Sequence, residues 1–427
     1  MKKYTEMNAA ELNAEYAALS EKYNELKAKG YKLDMSRGKP GAAQLDITAD
    51  MLGNLTSPDE CIAEDGTDCR NYGVLDGIPE AKKLFGELLG IPAKNIFVGG
   101  NSSLCLMYDT IARAMLHGVV GSDVPWSKLP EVKFLCPAPG YDRHFAICES
   151  MGIKMIPIEM REDGPDMDTV EKLVSADDSI KGIWCVPKYS NPEGITYSDE
   201  TVTRFAKLKP AAKDFRIFWD NAYAVHDLYG EGDKLLNIFD EAPKYGNEDL
   251  LFIFASTSKI SFPGSGVAIL AASDRNMAQI KELTSFQTIG YDKLNQLRHV
   301  RYFKDANGIL EHMQRHADIL RPKFDIVLEA FEKELRPRGA GDWITPKGGY
   351  FVALNTPDGC AKRVYNLVSE CGVKLTNVGA AFPYGIDPRD RVLRIAPTNP
   401  KNEDLVLAVE VLCVCCRMAA VEKLMNK

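Results

Sequence analysis

Leu251-Phe252-Ile253-Phe254-Ala255-Ser256-Thr257-Ser258-Lys259 is an unbroken apolar run that ends in three hydroxyl side chains and a lysine. A short apolar run bounded by polar residues reads as a strand buried on both faces. A second such run, Arg216-Ile217-Phe218-Trp219, ends in Asp220, with Tyr223 three residues on. Similar runs recur at 95–98, 132–136, 154–158, 182–186 and 267–271, separated by segments of helix length. Seven strands alternating with helices predict an α/β fold whose large domain has a mostly parallel, seven-stranded sheet between helices. In such sheets ligands bind at the carboxyl ends of the strands. Asn101, Tyr141, Asn191, Asp220 and Lys259 each follow one of these runs by a few residues, so the pattern predicts one site at one sheet edge.

The pattern changes towards both ends. Leu12, Tyr16, Leu19, Tyr23 and Leu26 recur at helical spacing before Gly30, which predicts a helix over 8–29. A turn follows at Ser36-Arg37-Gly38-Lys39-Pro40-Gly41, and a further helix over 80–89 starts at Pro79 and stops at Gly90. Beyond residue 300 a long polar helix is expected over 296–335, with a break near Arg321-Pro322. It precedes a segment holding Gly349–Leu354, Val392–Ala396 and a terminal helix from Glu403. The expected division is an N-terminal helix and arm (1–45), a large domain (46–295) and a C-terminal part (296–427). Both chain ends form a smaller α+β domain.

The chain has 427 residues, a net charge of -8 and 45% hydrophobic residues, which supports a large core and argues against a nucleic-acid binder. Met1-Lys2-Lys3 imitates the start of a signal peptide, but the residues that follow are polar. The most apolar segment, Leu405 to Val421, is interrupted by Glu410 and Arg417, which speaks against a membrane span. A cytoplasmic protein is expected. Eleven cysteines, an odd number scattered through apolar runs, read as free thiols. Cys413 and Cys416 have Cys-x-x-Cys spacing but lie in a helical apolar run, so buried thiols outweigh a redox or metal pair. His312 and His316 stand at i, i+4 on the long helix; no nearby ligand completes a metal set, and a solvated face is expected.

Lys259 carries the chemistry. A desolvated lysine loses its proton more readily, and the free amine forms an imine with an aldehyde. Ser256 and Ser258 beside it offer hydroxyls to a phosphate. Asp220 would face a pyridine nitrogen and keep it protonated, which turns the ring into an electron sink; the plainer reading is a helix cap. That set of groups suits pyridoxal 5'-phosphate (PLP). Tyr223 and Asn191 could bond the ring oxygen, although aromatic packing and a turn at Asn191-Pro192-Glu193-Gly194 are the plain alternatives. Gly99-Gly100-Asn101-Ser102-Ser103 follows a strand and opens a helix, which makes an anion seat from free N–H groups and hydroxyls. Tyr141 could stack on the ring. Arg394, in the apolar strand Val392-Leu393-Arg394-Ile395, needs a partner: a substrate carboxylate or a structural acid.

Together these residues resemble the fold-type I, PLP-dependent aminotransferases of the aspartate aminotransferase class. The resemblance runs from about Ser36 to Thr398. It is most specific at 72–80, at Asn191-Pro192-Glu193-Gly194, at Asp220-Asn221-Ala222-Tyr223 and at Ser256-Thr257-Ser258-Lys259. It implies that Lys259, Asp220 and Tyr223 are catalytic. It implies PLP contacts for Asn101, Ser102, Ser103, Tyr141, Asn191, Ser256 and Ser258, and one for Tyr72 supplied by the neighbouring subunit of a homodimer. Gly38, Asn191 and Arg394 would meet the substrate. One departure stands out. Gly266 occupies the position where the family carries an arginine that pairs with the phosphate, which points to a divergent branch.

The implied reaction moves an amino group between aspartate and 2-oxoglutarate in two ping-pong half-reactions. A PLP-dependent carbon–sulfur β-lyase would use the same lysine and aspartate. A PLP-sensing regulator would need a DNA-binding module ahead of Ser36, where only one helix and a turn are predicted. A second substrate carboxylate would need a cation, and Arg37, Lys293, Arg298 and Arg301 are available.

Overall fold

A computed structural model of the chain describes residues 2–425. The chain opens with α1 (Ala9–Ala28), β1 (Leu33–Asp34), α2 (Ala42–Asp46), α3 (Pro79–Leu89), β2 (Ile96–Val98) and α4 (Ser103–His117). The middle holds β3 (Lys133–Ala138), α5 (Asp142–Ser150), β4 (Lys154–Arg161), β5 (Gly164–Pro165), α6 (Met167–Ala176), β6 (Ile180–Cys185), α7 (Asp199–Ala206), β7 (Arg216–Asp220), α8 (Ile238–Glu241), β8 (Leu251–Ser256), β9 (Ala268–Ala272) and α9 (Asp274–Ser285). It closes with α10 (Lys293–Phe303), α11 (Ala306–Glu334), β10 (Val352–Asn355), α12 (Ala361–Glu370), β11 (Val373–Lys374), β12 (Val392–Ile395) and α13 (Asn402–Leu424).

All seven expected strands form one sheet. A two-residue eighth, β5, adds to its edge by pairing antiparallel with β4, in the order β2-β9-β8-β7-β6-β3-β4-β5. The run β8-β7-β6-β3-β4 is parallel throughout, while β9 runs against both β8 and β2. The parallel strands β6 and β7 are buried at every position, as a sheet covered on both faces requires. Chain order reverses around β3: β4 lies on one side of it and β6 on the other. Such a reversal opens a crevice at the carboxyl ends of the strands. Apolar side chains fill both sides of the sheet in two separate clusters.

The chain ends build a third cluster, which joins Leu12, Leu19 and Leu26 of α1 to α12, α13 and the later part of α11. Two small sheets belong to it, a parallel β1–β11 pair and an antiparallel β10–β12 pair. The charge inside the apolar run of α13 finds partners there: Arg417 bonds Glu15 at 2.8 Å, Glu334 at 2.7 Å and the Tyr4 hydroxyl at 3.0 Å. The bent helix expected over 296–335 is two helices, and the break falls at Lys304-Asp305 rather than at Pro322. Lys304 adopts a positive φ of 69°, and the Asp305 carboxylate accepts from the Gly308 N–H at 2.9 Å to cap α11. Pro322 sits inside α11, where buried Leu320, Phe324 and Val327 hold the helix to the core on both sides of it. His312 and His316 are buried, against expectation: α11 turns that face to the loop after Lys259, and both Nε2 atoms lie within 3.0 Å of the Ile260 carbonyl. Cys413 and Cys416 are buried free thiols.

Candidate active site

Four parallel strands bring the site together at one edge. β8 ends at Ser256, and Lys259 follows in a short turn held by Thr257, whose hydroxyl accepts from the Val267 N–H at 2.8 Å. Lys259 is half-buried, with its Nζ 4.9 Å from the centre of the Tyr223 ring and 5.8 Å from that of Tyr350. Burial pushes its amine pKa down from the usual lysine value, and the nearby Asp220 carboxylate partly opposes that. The free amine is therefore more accessible here than on a solvated lysine.

Asp220, the last residue of β7, is buried. Its Oδ2 lies 3.0 Å from His144 Nε2. Its Oδ1 is buried and has no hydrogen-bond partner. A buried carboxylate oxygen without a donor is costly unless a ligand supplies one. A protonated pyridine nitrogen is such a donor, so this oxygen fits PLP. His144 stacks on Trp184, with ring centres 4.3 Å apart and planes 7° apart, which fixes the imidazole against the carboxylate.

Tyr141 caps α5 one residue before Asp142, and its ring meets His144 edge-on at 5.0 Å. Its phenol is pushed up to about 12 by burial, then by the charges of Asp220 and Asp142. Tyr223 is buried against Tyr350 and His226, and burial raises its phenol well above the usual value. Asn191, in the turn after β6, is buried, and Arg394 Nη1 reaches its Oδ1 at 3.5 Å. Arg394 projects from β12 and also donates to Asp142 at 2.9 Å, so an acid of the chain already partners it. Its guanidinium lies 5.2 Å from the centre of the Phe351 ring. A Cβ on Gly38 would come within 2.3 Å of that same ring, so a larger residue there would push the Phe351 side chain aside.

The anion seat is built from two directions. Ser102 caps α4 and Ser103 starts it, leaving the first N–H groups of a 15-residue helix pointing outward. Ser256 Oγ donates to Ser258 Oγ at 3.1 Å, and Ser258 Oγ donates to the Asn101 carbonyl at 3.3 Å. Gly266 borders this seat: a Cβ there would lie 3.2 Å from the carbonyl oxygens of Asn101 and Phe262 and from Thr257 Oγ1.

Tyr72 is not drawn in; it is 82% exposed. Of the candidate second-carboxylate cations, Lys293 donates to the Gly73 carbonyl, Arg298 to Ser265 and Asn295, and Arg301 to the Ile62 carbonyl, while Arg37 is exposed. Sequence reasoning missed His144, Tyr350 and His299. Helical spacing from Tyr141 puts position 144 on the same face of α5 and could have raised His144. Tyr350, whose hydroxyl accepts from Gln44, and His299, which lies 3.1 Å from Thr257 Oγ1, come from distant segments and leave no local signal.

The family model described as aspartate amino-transferase matches residues 7–427. A putative aminotransferase of Mycolicibacterium smegmatis is 47% identical, over 97% of each chain. An aspartate aminotransferase of Corynebacterium glutamicum is 42% identical, over 96% of this chain and 94% of that one. The crystal structure of an aspartate transaminase from Corynebacterium glutamicum superposes with a TM-score of 0.96 at 41% identity, covering 99% of both chains. With full-length agreement in sequence and fold, the chain belongs to the aspartate amino-transferase family.

Proposed function

We propose that the protein is a PLP-dependent aspartate aminotransferase, exchanging an amino group between aspartate and 2-oxoglutarate in two half-reactions. The observation that carries this reading is the buried, unpartnered Oδ1 of Asp220 beside a half-buried lysine of lowered pKa. The family's dependence on PLP and the names of the relatives support it.

Bound PLP would supply an electron sink for the carbanion left when an amino acid loses its α-proton. Asp220, held by His144, would keep a proton at the ring nitrogen. Asn191 and Tyr223 would bond the ring oxygen, and Tyr141 would cover the ring face. Asn101, Ser102, Ser103, Ser256 and Ser258 would seat the phosphate. Arg394 grips the α-carboxylate, exchanging or sharing its bond to Asp142, with Gly38 closing above. Lys259 removes the α-proton and returns it one position along, acting as base and then acid. Tyr72 reaches the neighbouring subunit's phosphate in a homodimer. We divide the chain into residues 1–45 and 296–427, which form the smaller domain, and 46–295, the large one. A cytoplasmic location agrees with eleven free thiols and with no helix among the described residues long and apolar enough to cross a membrane.

The test is a half-reaction screen. Each amino acid is mixed with the PLP form, and the cofactor's absorption is followed without any oxo acid. Aspartate and glutamate should shift the band fully and fastest. A flat response to both would remove the dicarboxylate assignment, and pyruvate release from cystathionine would replace transamination with β-elimination.

A further inference from the structure

A cavity of about 530 Å³ lies where β3 and β4 face the loop that leads into β12. Its volume falls in the range of sites that hold small molecules, roughly 300–1,000 Å³. The start of that loop is pinned to the sheet side at two points. The Gly140 N–H donates to the Ala381 carbonyl at 2.7 Å, and the Met155 N–H donates to the Tyr384 hydroxyl oxygen at 2.8 Å. Pro139, Ile158, Met160, Phe382 and Val392 make most of the wall apolar. Lys259, Asp220, Asn191 and Arg394 do not line it, so it is distinct from the candidate active site. The two are close along the chain: Glu193, two residues after Asn191, and Arg391, three before Arg394, both line the cavity.

Each of those two residues holds a buried polar atom without a hydrogen-bond partner, Glu193 at Oε2 and Arg391 at Nε. The acids near Arg391 are committed elsewhere. Asp387 accepts from the Arg391 and Val392 N–H groups at 2.8 and 2.9 Å, and Asp358 pairs with Arg389 at 3.0 Å. Among the described residues no carboxylate pairs with the Arg391 guanidinium. Burial pushes the Glu193 carboxyl pKa up to about 8, with the Arg391 charge pulling the other way. The acid therefore keeps its proton at neutral pH and can donate a hydrogen bond. A guanidinium without a counter-charge and a protonated acid in one cavity are two donors for one anion. Buried polar groups are costly when unmatched, and a ligand that brings the acceptor would satisfy both.

We infer that this cavity is a second ligand site, which takes a small monocarboxylate with an apolar body: Arg391 and Glu193 hold the carboxylate, and Ile158, Met160 and Phe382 cover the body. Equilibrium dialysis of the full-length protein tests it with phenylacetate and with phenylacetamide, its uncharged counterpart. Wild type should bind phenylacetate at least about tenfold more tightly than phenylacetamide, the scale of a hydrogen bond to a charged group. Arg391→Gln should weaken phenylacetate binding by about 10–100-fold, and Glu193→Leu by about tenfold. Glu193→Gln keeps a donor and should stay within about threefold of wild type. Arg394→Gln, at the proposed substrate site, should leave phenylacetate binding unchanged. If Arg391→Gln fails to fold, Arg391→Lys carries the test through a loss of a few-fold, because it keeps the charge but not the fork of donors. No binding to wild type overturns the inference, and so does equal affinity for the two probes. A loss that follows Arg394 rather than Arg391 places the probe in the proposed substrate site and overturns it as well.

Discussion

Asp220 has one oxygen on His144 and the other buried without a donor, an arrangement that a simple helix cap would not leave. If Asp220 is the charged partner of the ring nitrogen, Asp220→Asn should lower kcat by about 10²–10³-fold, the scale for removing one preorganised electrostatic partner. His144→Phe, which keeps an aromatic ring against Trp184, should give a smaller loss, in kcat more than KM. Steady-state kinetics with both variants check this; full activity of Asp220→Asn would remove the residue from the mechanism. That Asp220 and Lys259 stand at one sheet edge was legible in the sequence, because an apolar run of strand length ending in a polar side chain is a local pattern. His144 reaches Asp220 from 76 residues away, so its partner appears only once β3 and β7 have been placed by folding.

At the scale of elements, the segment that forms α10 and α11 was read as helical, but with its break misplaced and its surroundings wrong. His312 and His316 at helical spacing suggested a solvated face, but both turn inward, and with the buried His299 they brace the turn that carries Lys259. Periodicity cannot distinguish a wet polar face from one that meets buried backbone carbonyls. Burial holds the His299 pKa down to about 4, against an ordinary value near 6.5. The unfolded chain therefore binds more protons than the folded one in that window, and stability falls as pH drops from 6.5 towards 4. His299 alone should cost about 2 kcal/mol between pH 7 and pH 5. His312 and His316 act in the same direction, each depressed first by burial. Urea denaturation of wild type and His299→Gln at the two pH values tests this: the variant should lose less stability on acidification, and parallel losses would contradict it.

At the scale of the whole molecule, the alternation of apolar runs and helices was enough to place the sheet, because parallel strands buried on both faces must be continuously apolar. The antiparallel sense of β9 and the added β5 left no such trace. Tyr72, 82% exposed, and Phe286, 79% exposed, are large side chains that a monomer gains little by exposing. If Tyr72 serves the neighbouring subunit, Tyr72→Ala and Lys259→Ala homodimers should each be impaired. Mixing and refolding them should restore activity, since one site of each hybrid has both residues intact. No recovery, with hybrids shown to form, would contradict a shared site. The central claim is that the Lys259 amine itself moves the α-proton. Stopped-flow absorbance of the aspartate half-reaction in wild type and Lys259→Ala, both loaded with PLP, tests it most directly. The account predicts a loss of about 10²–10⁴-fold in the rate of the cofactor's spectral change, and a Lys259→Ala rate within tenfold of wild type would contradict it.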